Sequence, residues 1–379
     1  FFFFFMDFIL TGDIGGTNPK LAMLKVLENN LFDVVKIKDI KNLSDSIVVE
    51  INSFLGECAK ENMTTNSCCL AVAGPVENNS CLNLTNSNFV IDSNEIINNT
   101  FLENVLVIND FAAIAEVVAS IDIKESLKEG NLRQLFVSNE DVLPLEDGNR
   151  VVVGPGTDLG VCDLIYDNGD YIISSTEIAN TSIGVVEGLE DFYDFLRKKN
   201  KCPIIRKGDI VSGVGIKNIM EFFLDTNDAF SLFLMKNPRF IADVEEVISR
   251  NLDQVESDEW FKDILIKEAK GEDVDLAVEV SKFTKSNAKA KVSMKLFFEF
   301  FGLVCQDIVL SNLDRGGLFI VSNIVRKNQD FLFEGEDFSK WFAVNLKMSD
   351  YLKKVPIYVL DLENISFLGC GFAFKKKFR

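Results

Sequence analysis

Short apolar runs broken by polar turns organise the first third of the chain. "FILTGDI" (8–14) and "KLAMLKVL" (20–27) read as two strands joined by a glycine turn, and "FDVVKIKDI" (32–40) reads as a third. "SIVVEINSFLGECAKEN" (46–62) carries apolar residues at helical spacing, and Ser44-Asp45-Ser46 suits its first turn. "CCLAVAGPV" (68–76) predicts a buried strand ending at Gly74-Pro75, "CLNLTN" (81–86) a short strand and "NVLVIND" (104–110) another buried one. "FAAIAEVVASI" begins a helix directly after Asp110. Strands followed by mixed strands and helices predict an α/β sheet covered by helices.

The second half opens in the same way. "RVVVGPGTDLGVCDLIYDNGDYIISS" (150–175) is strand, glycine turn, strand, turn, strand, which repeats the design of 8–26. Two such hairpins predict an internally duplicated α/β architecture with a cleft between its halves. From 212 to 310 the pattern is mostly helical, as in "IKNIMEFFL", "VEEVISRNL" and "AKVSMKLFFEFFGLVCQDIVL". "GGLFIVSNIV" and "VPIYVL" add late strands, while 121–150 and 190–209 are polar and read as loops or insertions. The apolar stripes of the long helices are core positions rather than cofactor boxes.

Composition narrows the chemistry. With 379 residues, the chain is long enough for two or three domains. A net charge of −19 repels nucleic-acid backbones and anionic lipid, so no nucleic acid and no membrane is expected as a partner. The eight cysteines form no CxxC pair and no signal peptide is evident, so free thiols in a cytoplasmic protein are expected. There are 34 Phe and no His, which excludes histidine bases and histidine metal ligands. A general base must then be a carboxylate, Lys, Tyr or Cys. "FFFFF" at 1–5 reads as a tag remnant, and the reading starts at Met6.

The turns carry the candidate chemistry. Glycines let backbone N–H groups approach an anion without obstruction by a Cβ. Gly15-Gly16-Thr17 supplies one such turn, and Asp13 adds an oxygen for Mg²⁺ or its waters. Gly154-Pro155-Gly156-Thr157 and Gly160 supply a second. Two cradles at matched places favour phosphate binding over plain tight hairpins. Asn109-Asp110 follows the "VLVI" run and precedes a helix. Asp110 there is either an N-cap or a carboxylate at the end of a parallel strand, where α/β sheets place ligands.

The motifs "TGDIGGTN", "KLA", "AVAGPV", "LTN", "VINDFAA", "GPGTDLGV", "VSGVGIKNI" and "ENISFLGCGFA" occur in an order and spacing that resemble bacterial-type glucokinases. These belong to the hexokinase–actin–Hsp70 ATPase superfamily, and the resemblance runs from Asp7 to Ala373. It implies a two-domain actin-like ATPase (ribonuclease H-like) fold. The small domain would span 6–110 plus about 360–379, and the large domain 111–359. It implies ATP and Mg²⁺ as cofactors, glucose or a related hexose as partner, and a homodimer as an assembly common in the family. Asp110 would activate the sugar 6-hydroxyl, with Asn109, Glu177 and Asn180 on the sugar. Asp13 would sit near Mg²⁺. Gly15, Gly16, Thr17, Gly156, Thr157 and Gly160 would surround the phosphates, and Ser212-Gly213 would lie near the adenine.

The chain also departs from the pattern. The family's "EGGH" reads Glu177-Ile178-Ala179-Asn180, and the glutamate before "VLSG" falls at Gly208, with Asp209 beside it. "IAGGI" reads Val321-Ser322-Asn323-Ile324, Asp158 replaces a glycine of "GTGLG", and Lys20 replaces an arginine. Two lost sugar contacts at about 1.5–3 kcal/mol each would weaken sugar binding by roughly 10²–10⁴, less if Asn180 and Asp209 substitute. The expected activity is ATP-dependent phosphorylation of glucose. The alternatives are a kinase for another hexose or an amino sugar, and a non-catalytic sugar or nucleotide sensor.

Overall fold

The computed structural model describes residues 7–15, 19–28, 31–40, 46–84, 89–135, 137, 142–226, 228–250, 257–270 and 274–378. The tag reading at 1–5, Gly16, Thr17, Ser44, Asp45 and the end of "CLNLTN" lie outside these residues. The chain forms two compact units: residues 1–131, 162–175 and 362–379 make the first, and 132–161 and 176–361 the second.

In the first unit β1 (Phe8–Ile14), β2 (Lys20–Val26), β3 (Phe32–Asp39) and β4 (Ser67–Val72) are followed by a small ribbon, β5 (Ser80–Cys81) with β6 (Ile91–Asp92), and then by β7 (Asn104–Asn109). The main sheet runs β3-β2-β1-β4-β7. β1 is antiparallel to β2 and parallel to β4, and β4 is parallel to β7. β4 is buried at every position, as a central strand covered on both faces must be. One face packs on the helix Ile47–Ala59, whose buried Ile47, Val48, Ile51, Phe54 and Cys58 recur at helical spacing. Ser46 caps that helix by accepting from the Val48 N–H.

The other face receives Phe367, Cys370, Ala373 and Phe374 of the helix Ile365–Lys377, packed with Ala113 of the helix Asp110–Ser120. These two helices approach closely: a Cβ on Gly369 would lie 1.9 Å from the Ala113 carbonyl oxygen. The helix after Asp110 therefore belongs to the first unit, which continues to residue 131 rather than ending at 110.

The second sheet contains β8 (Leu132–Leu135), β9 (Arg150–Pro155), β10 (Leu159–Asp167), β11 (Asp170–Thr176), β12 (Gly317–Ile320) and β13 (Ile357–Leu360), in the order β11-β10-β9-β12-β13-β8. β12 is parallel to β9 and β13, and β8 closes the edge antiparallel. Without β8, the order repeats that of the first sheet, so the duplication read from the two hairpins is present in the fold. The core of the second unit centres on the helix Ala288–Asn312, which buries Phe297, Phe298, Phe300 and Phe301. Each such side chain contributes about 1.5–3 kcal/mol by burial.

Three local expectations are corrected. Residues 190–209 are not a loop: Glu190–Asn200 is a helix that buries Phe192, Tyr193 and Leu196, with acids in its first turn and bases in its last. The 121–150 stretch contains the helix Ile123–Glu129, started by Asp122 and stopped by left-handed Gly130, and then β8. Among the described residues 81–84 of "CLNLTN", only Cys81 is in a strand, and Gly74 packs directly against the Asn83 backbone there. All eight cysteines are unpaired. No helix among the described residues is long and apolar enough to cross a membrane.

Gly369→Ala should lose at least about 2 kcal/mol through overpacking, whereas Gly56→Ala, with open space at its Cβ position, should be neutral or slightly stabilising. Urea titrations of both variants check this. Equal midpoints would mean that the helix contact at Gly369 is not tight.

Candidate active site

Three parallel strands of the first unit end together. Asp13 on β1 lies level with Ala71 on β4, and Ala71 with Ile108 on β7. The carboxyl ends of these strands therefore place Asp13 and Asn109-Asp110 on one edge, about two strand spacings or ~10 Å apart along the sheet. Asn109, not Asp110, caps the following helix: its Oδ1 accepts from the N–H groups of Phe111 (3.0 Å) and Ala112 (3.2 Å). Its Nδ2 donates to the Gly74 carbonyl at 3.2 Å, and the Ser175 hydroxyl donates to its Oδ1 at 3.4 Å. With the cap supplied by Asn109, the Asp110 carboxyl is released from that duty; it accepts the adjacent Phe111 N–H at 2.9 Å and interacts with its own backbone N–H and the Asn109 side chain.

Burial, followed by the negative charge of Asp13, pushes the Asp110 carboxyl up to about 7. The Asp13 carboxyl is also raised, by burial, against the lowering effects of a hydrogen bond from Ser366 and the charge of Lys20. Lys20 is itself drawn to Asp39 at 3.1 Å. Both acids are raised by burial, and the protonation midpoint of Asp110 lies near neutrality. Such a group can accept a proton and release it.

The glycine turn of the second unit is built against two helix starts. The Gly156 N–H donates to the Asp158 carbonyl, and the Gly213 N–H donates to the Gly156 carbonyl, both at 2.8 Å. Ser212 caps the helix Gly213–Leu224 by accepting from the Gly215 N–H at 3.0 Å, and its hydroxyl donates to the Gly208 carbonyl at 2.7 Å. Ser322 caps the helix Asn323–Lys327 and donates to the Pro155 carbonyl at 2.5 Å. Gly156 and Thr157 remain exposed beside the start of the Gly213 helix, the electropositive end of its backbone dipole.

A polar chain lies nearby in the same unit. Glu177 Oε2 accepts from Asn180 Nδ2 at 2.8 Å, and Asn180 Oδ1 accepts from Arg206 at 2.7 Å. Arg206 makes three hydrogen bonds to Asp209, through its backbone N–H (2.8 Å), Nε (3.1 Å) and Nη2 (2.7 Å). Asp209 is thereby buried and committed to Arg206, so it does not substitute for a glutamate at 208 as the sequence suggested. Asp158 does not need left-handed backbone either, because its φ is not positive.

The structure thus joins Asp13, Asn109 and Asp110 on one strand edge, Gly156, Ser212 and Gly213 around one turn, and Glu177 with Asn180. Gly15 follows the end of β1, and Gly160 lies within β10. Ser366 and Arg206 are additional residues that the sequence reading did not single out. Ser366 was visible only as part of "ENISFLGCGFA", and Arg206 only as a base three residues before Asp209.

A protein-family model described as Glucokinase matches residues 10–377. The chain belongs to the glucokinase family. The glucokinase of Agrobacterium fabrum is 24% identical over 363 residues, covering 95% of this chain and 90% of that protein. The crystal structure of glucokinase from Balamuthia mandrillaris in complex with glucose aligns at TM-score 0.70 and 17% identity over 98% of this chain and 94% of that one. A ROK family glucokinase from Streptomyces griseus in complex with glucose and AMPPNP aligns at TM-score 0.54 and 12% identity, covering 97% and 99%. Membership places the chain among the hexose kinases, with the actin-like ATPase fold. Asn180, Gly208, Asp158 and the 321–324 stretch are therefore departures within a family rather than marks of an unrelated protein.

The raised Asp110 carboxyl makes stability depend on pH in a definite direction. The folded state holds this proton more tightly than the unfolded chain, so the protonated acid's contribution is full below the unfolded value of 3.8 and is lost as pH rises through about 7. Asp110→Asn removes that loss. Thermal melts should show the variant gaining on the parent protein at roughly pH 8 and little or no gain at roughly pH 4. A difference that does not vary with pH would mean that Asp110 ionises normally.

Proposed function

We propose that this protein is a glucokinase that transfers the γ-phosphoryl group of ATP to the 6-hydroxyl of glucose. What supports the reading is the placement of the Asp110 carboxyl at the carboxyl end of β7, next to the capping Asn109 and on the same strand edge as Asp13, where burial pushes it up to about 7. Above that pH it is an ionised base at the position where α/β folds present catalytic groups to ligands. It takes the proton of the attacking hydroxyl as the oxygen closes on phosphorus. Asn109 stands beside it, fixed by its capping bonds and by Gly74, and orients a neighbouring sugar hydroxyl.

Asp13 fits a divalent cation. Its carboxyl is half-buried and raised, a state that a cation would relieve by favouring the ionised form. Among the described residues no group of three or more His, Cys, Asp or Glu side chains is arranged to hold a metal. Mg²⁺ at Asp13 would take most of its oxygens from phosphate and water, and when bound it would neutralise charge on the transferring phosphoryl group. The exposed Gly156-Thr157 backbone and the Gly213 helix start supply donors to the phosphates. Glu177 and Asn180 meet the sugar hydroxyls. The unpaired thiols fit a reducing, cytoplasmic setting.

Formation of glucose 6-phosphate, measured with a panel of phosphoryl donors and hexoses, tests the reading. Asp110→Asn should lower kcat by about 10²-fold or more while leaving the fold intact. In the parent enzyme, kcat should rise with pH through about 7. Unaltered turnover in the variant would remove Asp110 from the mechanism.

A further inference from the structure

We propose that Ser366 is a positioning residue: its hydroxyl, carried by the helix Ile365–Lys377, holds the Asp13 carboxyl so that one oxygen is presented to the divalent cation of the nucleotide. The inference rests on the reading of Asp13 as the cation's residue. It adds a residue that acts only through Asp13, and the element that carries it.

Strand and helix reach the same point by two independent periodicities. Side chains alternate along β1, so Ile9, Thr11 and Asp13 share one face. Ile9 packs on that face with Phe367, Cys370, Ala373 and Phe374 of the helix, while Leu10 and Ile14 pack on the other. Along the helix, Ser366, Cys370 and Ala373 lie on one side, at i, i+4 and i+7. The Cys370 thiol donates to the Gly12 carbonyl at 3.8 Å. Ser366, one turn or about 5.4 Å earlier, stands level with the next strand residue, Asp13, and its hydroxyl donates to that carboxyl.

Close packing fixes this register. A Cβ on Gly369 would lie 1.9 Å from the Ala113 carbonyl oxygen, and one on Gly371 would lie 3.0 Å from the side chains of Leu24 and Phe32. At the far end of the helix, Lys376 Nζ donates to the Tyr171 carbonyl at 2.7 Å. The place of the Ser366 hydroxyl is thus set by the backbone, and a serine adds only one short rotor to it.

The other polar groups on this face are engaged elsewhere. The Thr11 hydroxyl donates to the Ala22 carbonyl at 3.3 Å. Lys20, opposite Asp13 on β2, is drawn to Asp39 at 3.1 Å. The difference matters to a cation. A lysine seated on Asp13 would cancel its charge, whereas a hydroxyl orients the carboxyl and leaves the charge in place. One O–H fills one of about four acceptor positions on a carboxylate, so the second oxygen stays open to a cation whose remaining ligands are phosphate and water.

The test compares nucleotide binding with and without the metal. Calorimetry gives Kd for MgATP and for ATP in EDTA, in the parent protein, in Ser366→Ala, in Ser366→Cys as a shape-preserving variant with a weak donor, and in Ser366→Thr, which keeps the hydroxyl. Ser366→Ala and Ser366→Cys should raise the MgATP Kd by about 5–10-fold, the value of one hydrogen bond. The Kd of metal-free ATP and the glucose KM should not change. Ser366→Thr should match the parent within about twofold, and Ser366→Ala should add nothing in an Asp13→Asn background. An MgATP Kd within about twofold of the parent in every folded hydroxyl-less variant overturns the inference. So does equal weakening of metal-free ATP, or an undiminished effect in the Asp13→Asn background. If the parent protein binds MgATP but phosphorylates no hexose, the kinase reading fails while the Kd comparison still decides the role of Ser366. If Mg²⁺ does not change ATP binding in the parent protein, the role of Ser366 falls while glucose 6-phosphate formation still decides the kinase reading.

Discussion

Everything argued for this protein depends on the burial of one carboxyl group beside another. Raising Asp110 from 3.8 to about 7 requires on the order of 4 kcal/mol of discrimination against its charged form. A like charge about 10 Å away in a partly solvated site supplies on the order of 1.5 kcal/mol. Desolvation must supply the larger part, in agreement with burial being the leading cause. The β1-β4-β7 order fixes the spacing of the two acids along the strand edge. The Asn109 cap matters to the same midpoint. Had Asp110 capped the helix itself, further N–H groups would have stabilised its charge and drawn the midpoint down.

The second unit shows a different logic. Its glycine turn is shaped by hydrogen bonds rather than by buried charge: Gly156 to Gly213, Ser212 to Gly208 and Ser322 to Pro155 all tie loop backbone to helix starts. Ser322 belongs to a stretch that departs from the family's glycines, yet it performs a structural task, capping a helix and fixing the turn at once. The Glu177–Asn180–Arg206–Asp209 chain likewise includes Asn180, which looked like a loss in the sequence. In the structure these residues form a connected arrangement in which each charged group has a partner.

How far the sequence could lead depended on the range of the interactions involved. The glycine hairpins, the strand before Asp110 and the duplicated order were legible because hydrophobic alternation and turn residues act locally. The helix Glu190–Asn200 escaped because only Phe192, Tyr193 and Leu196 mark its buried face among many charges. The capping role of Asn109 escaped because Asn and Asp are nearly equal caps, and the choice of start shifts by one residue. The close approach of Asp158 to Gly208 could not be seen at all without coordinates. It joins residues far apart in the chain, and the nearer acid, Asp209, was the more obvious candidate to replace a glutamate at 208 until its three bonds to Arg206 were seen.

The most direct test of the central claim is a ¹³C NMR titration of the Asp110 side-chain carboxyl, in the parent protein and in Asp13→Asn. The account predicts a midpoint at about 7 in the parent and a lower one when the neighbouring charge is removed. A midpoint near the ordinary aspartate value of about 4, unmoved by the Asp13 change, would contradict it.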